Sequence, residues 1–237
     1  MFSAKGWAAC RPSWRTEPGV LELSFLQKIA IGILPILLAV TVHEAAHGYV
    51  ANALGDPTAK RAGRLTLNPI PHIHWLGTIV VPLLMYLFTP FVFGWAKPVP
   101  INAARLRNPR RGMFLVAAAG PGVNILMALG WALVTVLAVK GLDGGMRFAE
   151  ALALMGQVGI FINLILAVFN LLPILPLDGG RMLVAVLPVS WGDWLSRFEA
   201  WGLPIVVVLL VSGVLSAILM PIMGTLLGWF TALIHVF

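Results

Sequence analysis

A mostly apolar run of eighteen residues, Phe25 to Val42, leads without interruption into His43-Glu44-Ala45-Ala46-His47. The run is close to the length a helix needs to cross a hydrocarbon layer. Positions four apart share a helix face, so His43 and His47 can present two imidazoles to one metal ion. Glu44 stands beside the first of them, where a carboxylate can take a proton from a water that the metal activates. Two histidines and a glutamate are costly in an apolar helix and usually mark a working site. The competing reading is a chance H-E-x-x-H on a helix end that reaches the headgroups. Taken with its setting, the motif points to metal-dependent peptide hydrolysis at a membrane.

Composition carries the membrane half of that inference. Hydrophobic residues make up 59% of the 237 and charged ones 11%, against about 25% charged in soluble domains. The formal charge of +7 does not imply nucleic acid. The basic residues sit in short loops between apolar segments, where anionic headgroups are the expected contact. Nine Trp and two Tyr are enough for interfacial belts, although some Trp would also suit a core. Cys10 is the single cysteine, which excludes an intrachain disulfide and a cysteine metal cluster.

The layout predicts an all-α polytopic membrane protein, a helical bundle of about 4–6 membrane segments with a re-entrant element and short interfacial strands. Residues 1–22 form a polar N-terminal arm without the long apolar stretch of a signal peptide. Residues 23–237 read as a single domain. Within it, 23–54 is a long helix with Gly55 as its stop. A basic loop follows over 56–71, in which Arg64 to Asn68 suits a short strand. The stretch 73–95 is apolar but interrupted by Pro82 and Pro90. Residues 101–111 carry four arginines, 112–139 is a spanning helix, and 148–170 is another. The apolar tail 201–237 suits one helix and a second broken near Pro221.

Two histidines do not complete a catalytic zinc site, which generally takes three protein ligands and leaves one position for water. Asp178 is the outstanding candidate. It follows an apolar helix within Asn170-Leu-Leu-Pro-Ile-Leu-Pro-Leu-Asp178-Gly-Gly-Arg181, where Pro173 and Pro176 deny a continuous helix and Gly179-Gly180 permit a sharp turn. Non-helical backbone at membrane depth is tolerated where it is buried in protein or lines a wet cavity. The alternative is that Asp178 caps the helix that follows it.

H-E-x-x-H in a membrane helix followed by N-x-x-P-x-x-x-x-D-G resembles the site-2 protease family of intramembrane zinc metalloproteases. The second element here is Asn170-Leu-Leu-Pro173-Ile-Leu-Pro-Leu-Asp178-Gly179. The resemblance extends over residues 24 to about 215 through Gly63-Arg-Leu-Thr-Leu-Asn-Pro69, Gly94-Trp-Ala-Lys-Pro-Val-Pro100 and Ala119-Gly-Pro-Gly-Val-Asn124. It is strongest to the small subgroup without PDZ or CBS domains. It implies one zinc per chain held by His43, His47 and Asp178, with Glu44 as general base and Asn170 near the substrate. It also implies cleavage within the membrane of a substrate's transmembrane helix, in a prokaryotic cell membrane with the active site nearer the cytoplasmic face. Leu175 departs from the proline many relatives carry. His74 stands where an acidic residue is expected, which leaves a local role for His72 and His74 open.

The chemistry requires that a substrate helix unwind, because its peptide bonds are shielded by its own hydrogen bonds. An extended segment of the enzyme can pair with the unwound chain. Gly94 to Pro100 and Gly63 to Asn68 are the segments that suit this, unless they are ordinary interfacial loops. The partners expected are therefore a membrane-protein substrate and the lipid bilayer, with no nucleic acid; the sequence sets no oligomeric state. Two rival functions are a catalytically inactive scaffold for transmembrane partners and a metal transporter. A transporter needs polar groups along several helices, and the other apolar segments nearly lack them. A dead scaffold is expected to lose Glu44 or a ligand, and all four residues are present.

For His43, His47 and Asp178 to meet at one depth, the helices 23–54 and 148–170 must run parallel. One span must then lie between them, which makes 112–139 that span and 73–95 re-entrant. With this layout ten Lys/Arg lie on the active-site face and six on the other, a bias toward a cytoplasmic active-site face.

Overall fold

The computed structural model describes residues 24–81, 84, 94–143 and 148–236. The polar arm expected at 1–22, and most of 82–93, lie outside the described residues. The described chain is helical, with α1 at Phe25–Ala53, α2 at Thr58–Arg61, α3 at Pro109–Asp143, α4 at Ala149–Asn170, α5 at Asp178–Val186, α6 at Val189–Ser196, α7 at Glu199–Val211 and α8 at Val214–Val236. Helices α1, α3, α4 and α8 are long and apolar enough to cross a membrane. The pair α6 and α7, bent by 65° at its break, makes a fifth if it counts as one span.

Local chemistry sets the ends of α1. Ser24 accepts from the Gln27 N–H while the Gln27 side chain accepts from the Ser24 N–H, a reciprocal cap that satisfies two otherwise orphaned donors. At the other end Leu54 is the cap and Gly55 takes φ +108°, a conformation a side chain would strain. The expected stop at Gly55 is therefore where the helix ends.

Helices α1, α3 and α4 pack against one another and carry the site. Their directions follow from their cross-contacts. His43 bonds to Asn124 and His47 to Val116, so the numbers rise on α1 as they fall on α3. Asn124 bonds to Asn163. Further along, a Cβ on Gly159 would strike the Trp131 ring and one on Gly156 the Thr135 hydroxyl, so α3 and α4 are also antiparallel. Helices α1 and α4 consequently run parallel, as convergence of the two motifs requires. Small residues let these backbones approach closely, which is how helices associate where lipid removes the hydrophobic drive. The opposite face of α3 carries Leu126, Leu133 and Leu137, each at least 58% exposed, an outward apolar surface suited to lipid.

After α1 the chain leaves and returns to the same place. The Arg107 N–H donates to the Leu54 carbonyl at 3.0 Å, and the Asn102 N–H donates to the Asp56 carboxylate at 2.6 Å. Asp56 is fully buried, which alone would push its carboxyl up. The Thr58 hydroxyl and N–H, the Asn102 N–H and nearby Arg105 instead hold it below the usual carboxylate range. The two ends of the 73–95 stretch also meet, with Trp95 N–H bonded to the Gly77 carbonyl and Lys97 N–H to that of His72. A connection that starts and finishes on one face makes no net crossing, and two spans need about 40 residues. The course of the chain between these ends, and with it the re-entrant element expected there, lies largely outside the described residues.

Two expectations are corrected. Neither Arg64 to Asn68 nor Gly94 to Pro100 is a strand among the described residues. In the first, side chains compete for the backbone: Thr66 accepts from the Asn68 N–H and Asn68 from the Ile70 N–H. In the second, the N–H groups of residues 95 and 97 go to single carbonyls in a turn, so no ladder forms. Nor does Pro221 break the tail. It lies inside α8, and the break falls at Ser212 and Gly213, where Gly213 takes φ +79°. One missing N–H is tolerated in a membrane helix, whereas a reversal needs the left-handed conformation that glycine supplies.

Single cysteines at positions 60 and 105, in a Cys10→Ser background, are expected to react with an impermeant maleimide from the same side of the membrane. Labelling from opposite sides would contradict the return described here.

Candidate metal centre

His43 and His47 stand one turn apart on α1, and each ring is fixed through Nδ1. The His43 Nδ1–H donates to the Asn124 side-chain oxygen at 2.5 Å, and the His47 Nδ1–H donates to the Val116 carbonyl at 2.7 Å. Asn124 is itself oriented, since its amide donates to Asn163 at 2.8 Å and to the Ala39 carbonyl. Asn163 in turn donates to the Gly159 carbonyl within its own helix. These bonds define the tautomer: with Nδ1 protonated, both Nε2 atoms are left as lone pairs.

Asp178 reaches the same point from α5. Helix α4 ends at Asn170, and the chain turns through Ile174 and Leu177 before α5 begins. Glycines make this turn compact. A Cβ on Gly179 would lie 2.2 Å from the Leu171 carbonyl, and one on Gly180 would lie 2.5 Å from the Ile174 backbone. From outside, α7 presses on the turn at Gly202, where a Cβ would fall 1.6 Å from the Leu175 carbonyl oxygen. Leu175, the residue standing in place of proline, is buried there. Asp178 is not the cap of α5; Leu177 occupies that position in extended conformation.

The result is a triangle of acceptors. The two Nε2 atoms are 3.1 Å apart, and the buried Asp178 Oδ2 lies 3.2 Å from one and 3.3 Å from the other. Oδ2 has no hydrogen-bond partner. Three lone pairs facing one another without a donor repel, and a cation at their centre satisfies all of them. Ligands at about 2.0–2.1 Å in a tetrahedral site stand about 3.3 Å apart, which is the spacing found. Among the described residues this is the group of His, Cys, Asp or Glu side chains disposed to hold a metal ion.

Glu44 follows His43 on α1 and is half-buried, and its Oε2 accepts from the Val99 N–H at 3.0 Å. Asn170 is not brought to the acceptors: its amide donates to the Leu166 carbonyl in its own helix. His72 and His74 serve locally. The buried His72 donates from Nε2 to the Thr66 carbonyl, and His74 accepts from the Gly77 N–H at the start of the π-helical turn Trp75–Val80.

Sequence reasoning missed four contributors: Gly120, Asn124, Asn163 and Val99. A Cβ on Gly120 would lie 2.5 Å from the His43 ring and 2.6 Å from that of His47, so α3 can touch the histidines only without a side chain there. A signal did exist, because Asn124 and Asn163 are amides deep in apolar spans, where polar residues usually have a function.

A multi-pass helical bundle with two imidazoles and a carboxylate converging on one point is the architecture of a membrane-embedded metalloenzyme. Residues 142–213 match the model of peptidase family M50. The putative zinc metalloprotease YwhC of Bacillus subtilis is 36% identical over 81% of this chain and 85% of its own length. The putative zinc metalloprotease Rip2 of Mycolicibacterium smegmatis is 28% identical over 86% of this chain and 75% of that protein. The zinc metalloprotease MJ0392 of Methanocaldococcus jannaschii is 25% identical, the match covering 86% of this chain and 48% of that relative. No solved structure matches. The chain belongs to peptidase family M50, the site-2 proteases, and is a zinc metalloprotease.

Loss of a hydrogen-bond partner behind a metal-binding histidine typically costs about 10–100-fold in affinity. Asn124→Ala is therefore expected to weaken zinc binding on that order in a chelator competition, while Asn170→Ala leaves it unchanged. Equal affinities in Asn124→Ala and wild type would contradict the role given to the His43 bond.

Proposed function

We propose that His43, His47 and Asp178 hold the catalytic zinc, that Glu44 is the general base, and that the substrate is the transmembrane helix of another membrane protein. The observation that carries this reading is the donor-free triangle of two Nε2 atoms and Oδ2, with Glu44 next to His43 on α1. When bound, zinc polarises the scissile carbonyl and acidifies a water. Glu44 takes the proton and returns it to the leaving amine. The Val99 bond fixes the orientation of the Glu44 carboxylate while leaving it free lone pairs to accept the proton. Asn124, Val116 and the turn at 171–177 hold the three ligands in place.

Residues 94–100 are the segment we assign to the substrate. The N–H groups of residues 95, 97 and 99 all turn inward, to Gly77, His72 and Glu44. In an extended segment the alternate residue, Ala96, turns its backbone groups the other way, where an unwound substrate can pair. Asn170, at the end of α4, is assigned to positioning that substrate. The charge bias supports an active site nearer the cytoplasmic face.

Glu44→Gln is expected to keep about one equivalent of zinc per chain but to lose cleavage by at least about 100-fold, because an amide cannot accept the proton. His43→Ala and Asp178→Ala should lose both. Elemental analysis and cleavage of a model single-pass membrane protein provide the readouts. Substantial cleavage by Glu44→Gln, or full zinc in Asp178→Ala, would contradict the assignments.

A further inference from the structure

We propose that Arg64 is a positioning residue for Glu44, acting through the backbone of Lys97-Pro98-Val99. The proposal rests on Glu44 being the general base, and it assigns a task to a residue the metal site does not touch.

Arg64 is an unusual buried charge. It is only 6% exposed, and among the described residues no carboxylate pairs with it. Burying a guanidinium without an ion-pair partner is costly unless hydrogen bonds compensate. Here Nη2 donates to the Lys97 carbonyl at 3.0 Å and to the Pro98 carbonyl at 3.1 Å. Both bonds fall on adjacent residues, and the next residue, Val99, is the one that donates to Glu44.

The starting point of the side chain is fixed. The Gly63 N–H bonds to the Lys60 carbonyl and the Arg64 N–H to the Ala59 carbonyl, with Gly63 at φ +66°. That pair of bonds is the Schellman termination of α2. Helix α2 is tied to the end of α1 by the bonds from Thr58 to Asp56. Arg64 thus starts from a rigid corner on the helix that carries the histidines.

The far end is equally constrained. Pro98 and Pro100 have no N–H and fixed φ, and each restricts the residue before it to extended conformations. The Val99 N–H is therefore the single backbone donor over 98–100, and it is spent on Glu44. Gly48, one turn after Glu44 on the same face of α1, leaves the room this requires. A Cβ there would lie 3.3 Å from Val99 Cγ1 and 2.8 Å from Leu65 Cδ2. Arg64 on one side and Glu44 on the other hold a stiff segment between them. Without Arg64 the two carbonyls lose their donor, the segment moves, and the carboxylate loses its orientation.

The test uses the full zinc-loaded chain in detergent, with Arg64→Met and Arg64→Lys. The difference in hydrogen exchange between overlapping peptides that share a start and end at 97 and at 100 reports the Val99 amide alone, because the prolines contribute none. Arg64→Met is expected to speed that exchange on the order of ten-fold, with zinc content unchanged. On a model single-pass membrane protein, kcat should fall by a similar factor, and any change in KM, through the same segment's contact with substrate, accompanies that fall. Arg64→Lys, whose ammonium can also bond both carbonyls, should recover most of both losses. Unchanged Val99 exchange in Arg64→Met would overturn the proposal. So would a rise in KM at constant kcat, or a kcat loss that Arg64→Lys fails to recover. The exchange measurement does not depend on proteolysis, so failure of the base assignment, seen as activity in Glu44→Gln, is distinguishable from failure of the Arg64 link.

Discussion

The site depends on the contact between α1 and α3 at Gly120. Val116, Gly120 and Asn124 form one stripe along α3, spaced four residues apart. The middle position has no side chain, and the two histidine rings fill that space. The outer positions supply the acceptors for the two Nδ1–H groups. One close approach therefore sets the distance between the helices, the tautomer of both imidazoles and the direction of both lone pairs. Without it the H-E-x-x-H motif would be two rotatable side chains on an apolar helix. The asparagine pair extends the same device to α4, joining the three helices through amides that hydrocarbon cannot solvate.

The carboxylate arrives by a different route. A helix cannot end at membrane depth and restart within a few residues unless the freed backbone is enclosed. The turn before Asp178 is enclosed on both sides, by its own glycines folding α5 back on it and by α7 at Gly202. Two helices outside the packed trio of α1, α3 and α4 thus take part in the site: α5 carries the carboxylate, and α7 supports the turn. Glu44 is held by a third route, through the extended 94–100 segment. The histidines and Glu44 share α1, but their side chains are held by different partners, Asn124 and Val116 for the rings and Val99 for the carboxylate.

Much of this was legible in the chain. Span lengths, the ends of α1 and the parallel course of α1 and α4 follow from hydropathy, from Gly55 and from the need for two motifs to meet. The capping reading of Asp178 could not be excluded from sequence; in the structure Leu177 is the cap and Asp178 the first residue of α5. What could not be read was non-local. Gly120 looks like any glycine in a membrane helix until the histidines occupy its missing side chain. Val99 is an apolar residue between prolines, and its importance lies in a backbone N–H. The strand expectations failed because alternation and proline were visible, while the absence of a ladder partner was not. Pro221 misled because proline was weighed as a breaker, as it is in water, when the glycine at 213 held the conformation that a break needs.

The central claim is that two imidazoles from α1 and one carboxylate from α5 hold a single zinc. X-ray absorption at the zinc edge, recorded on the full-length protein as purified, tests it most directly. The account predicts nitrogen and oxygen neighbours at about 2.0–2.2 Å, with outer-shell scattering from two imidazoles and no sulfur. A sulfur neighbour, or scattering from fewer than two imidazoles, would contradict it.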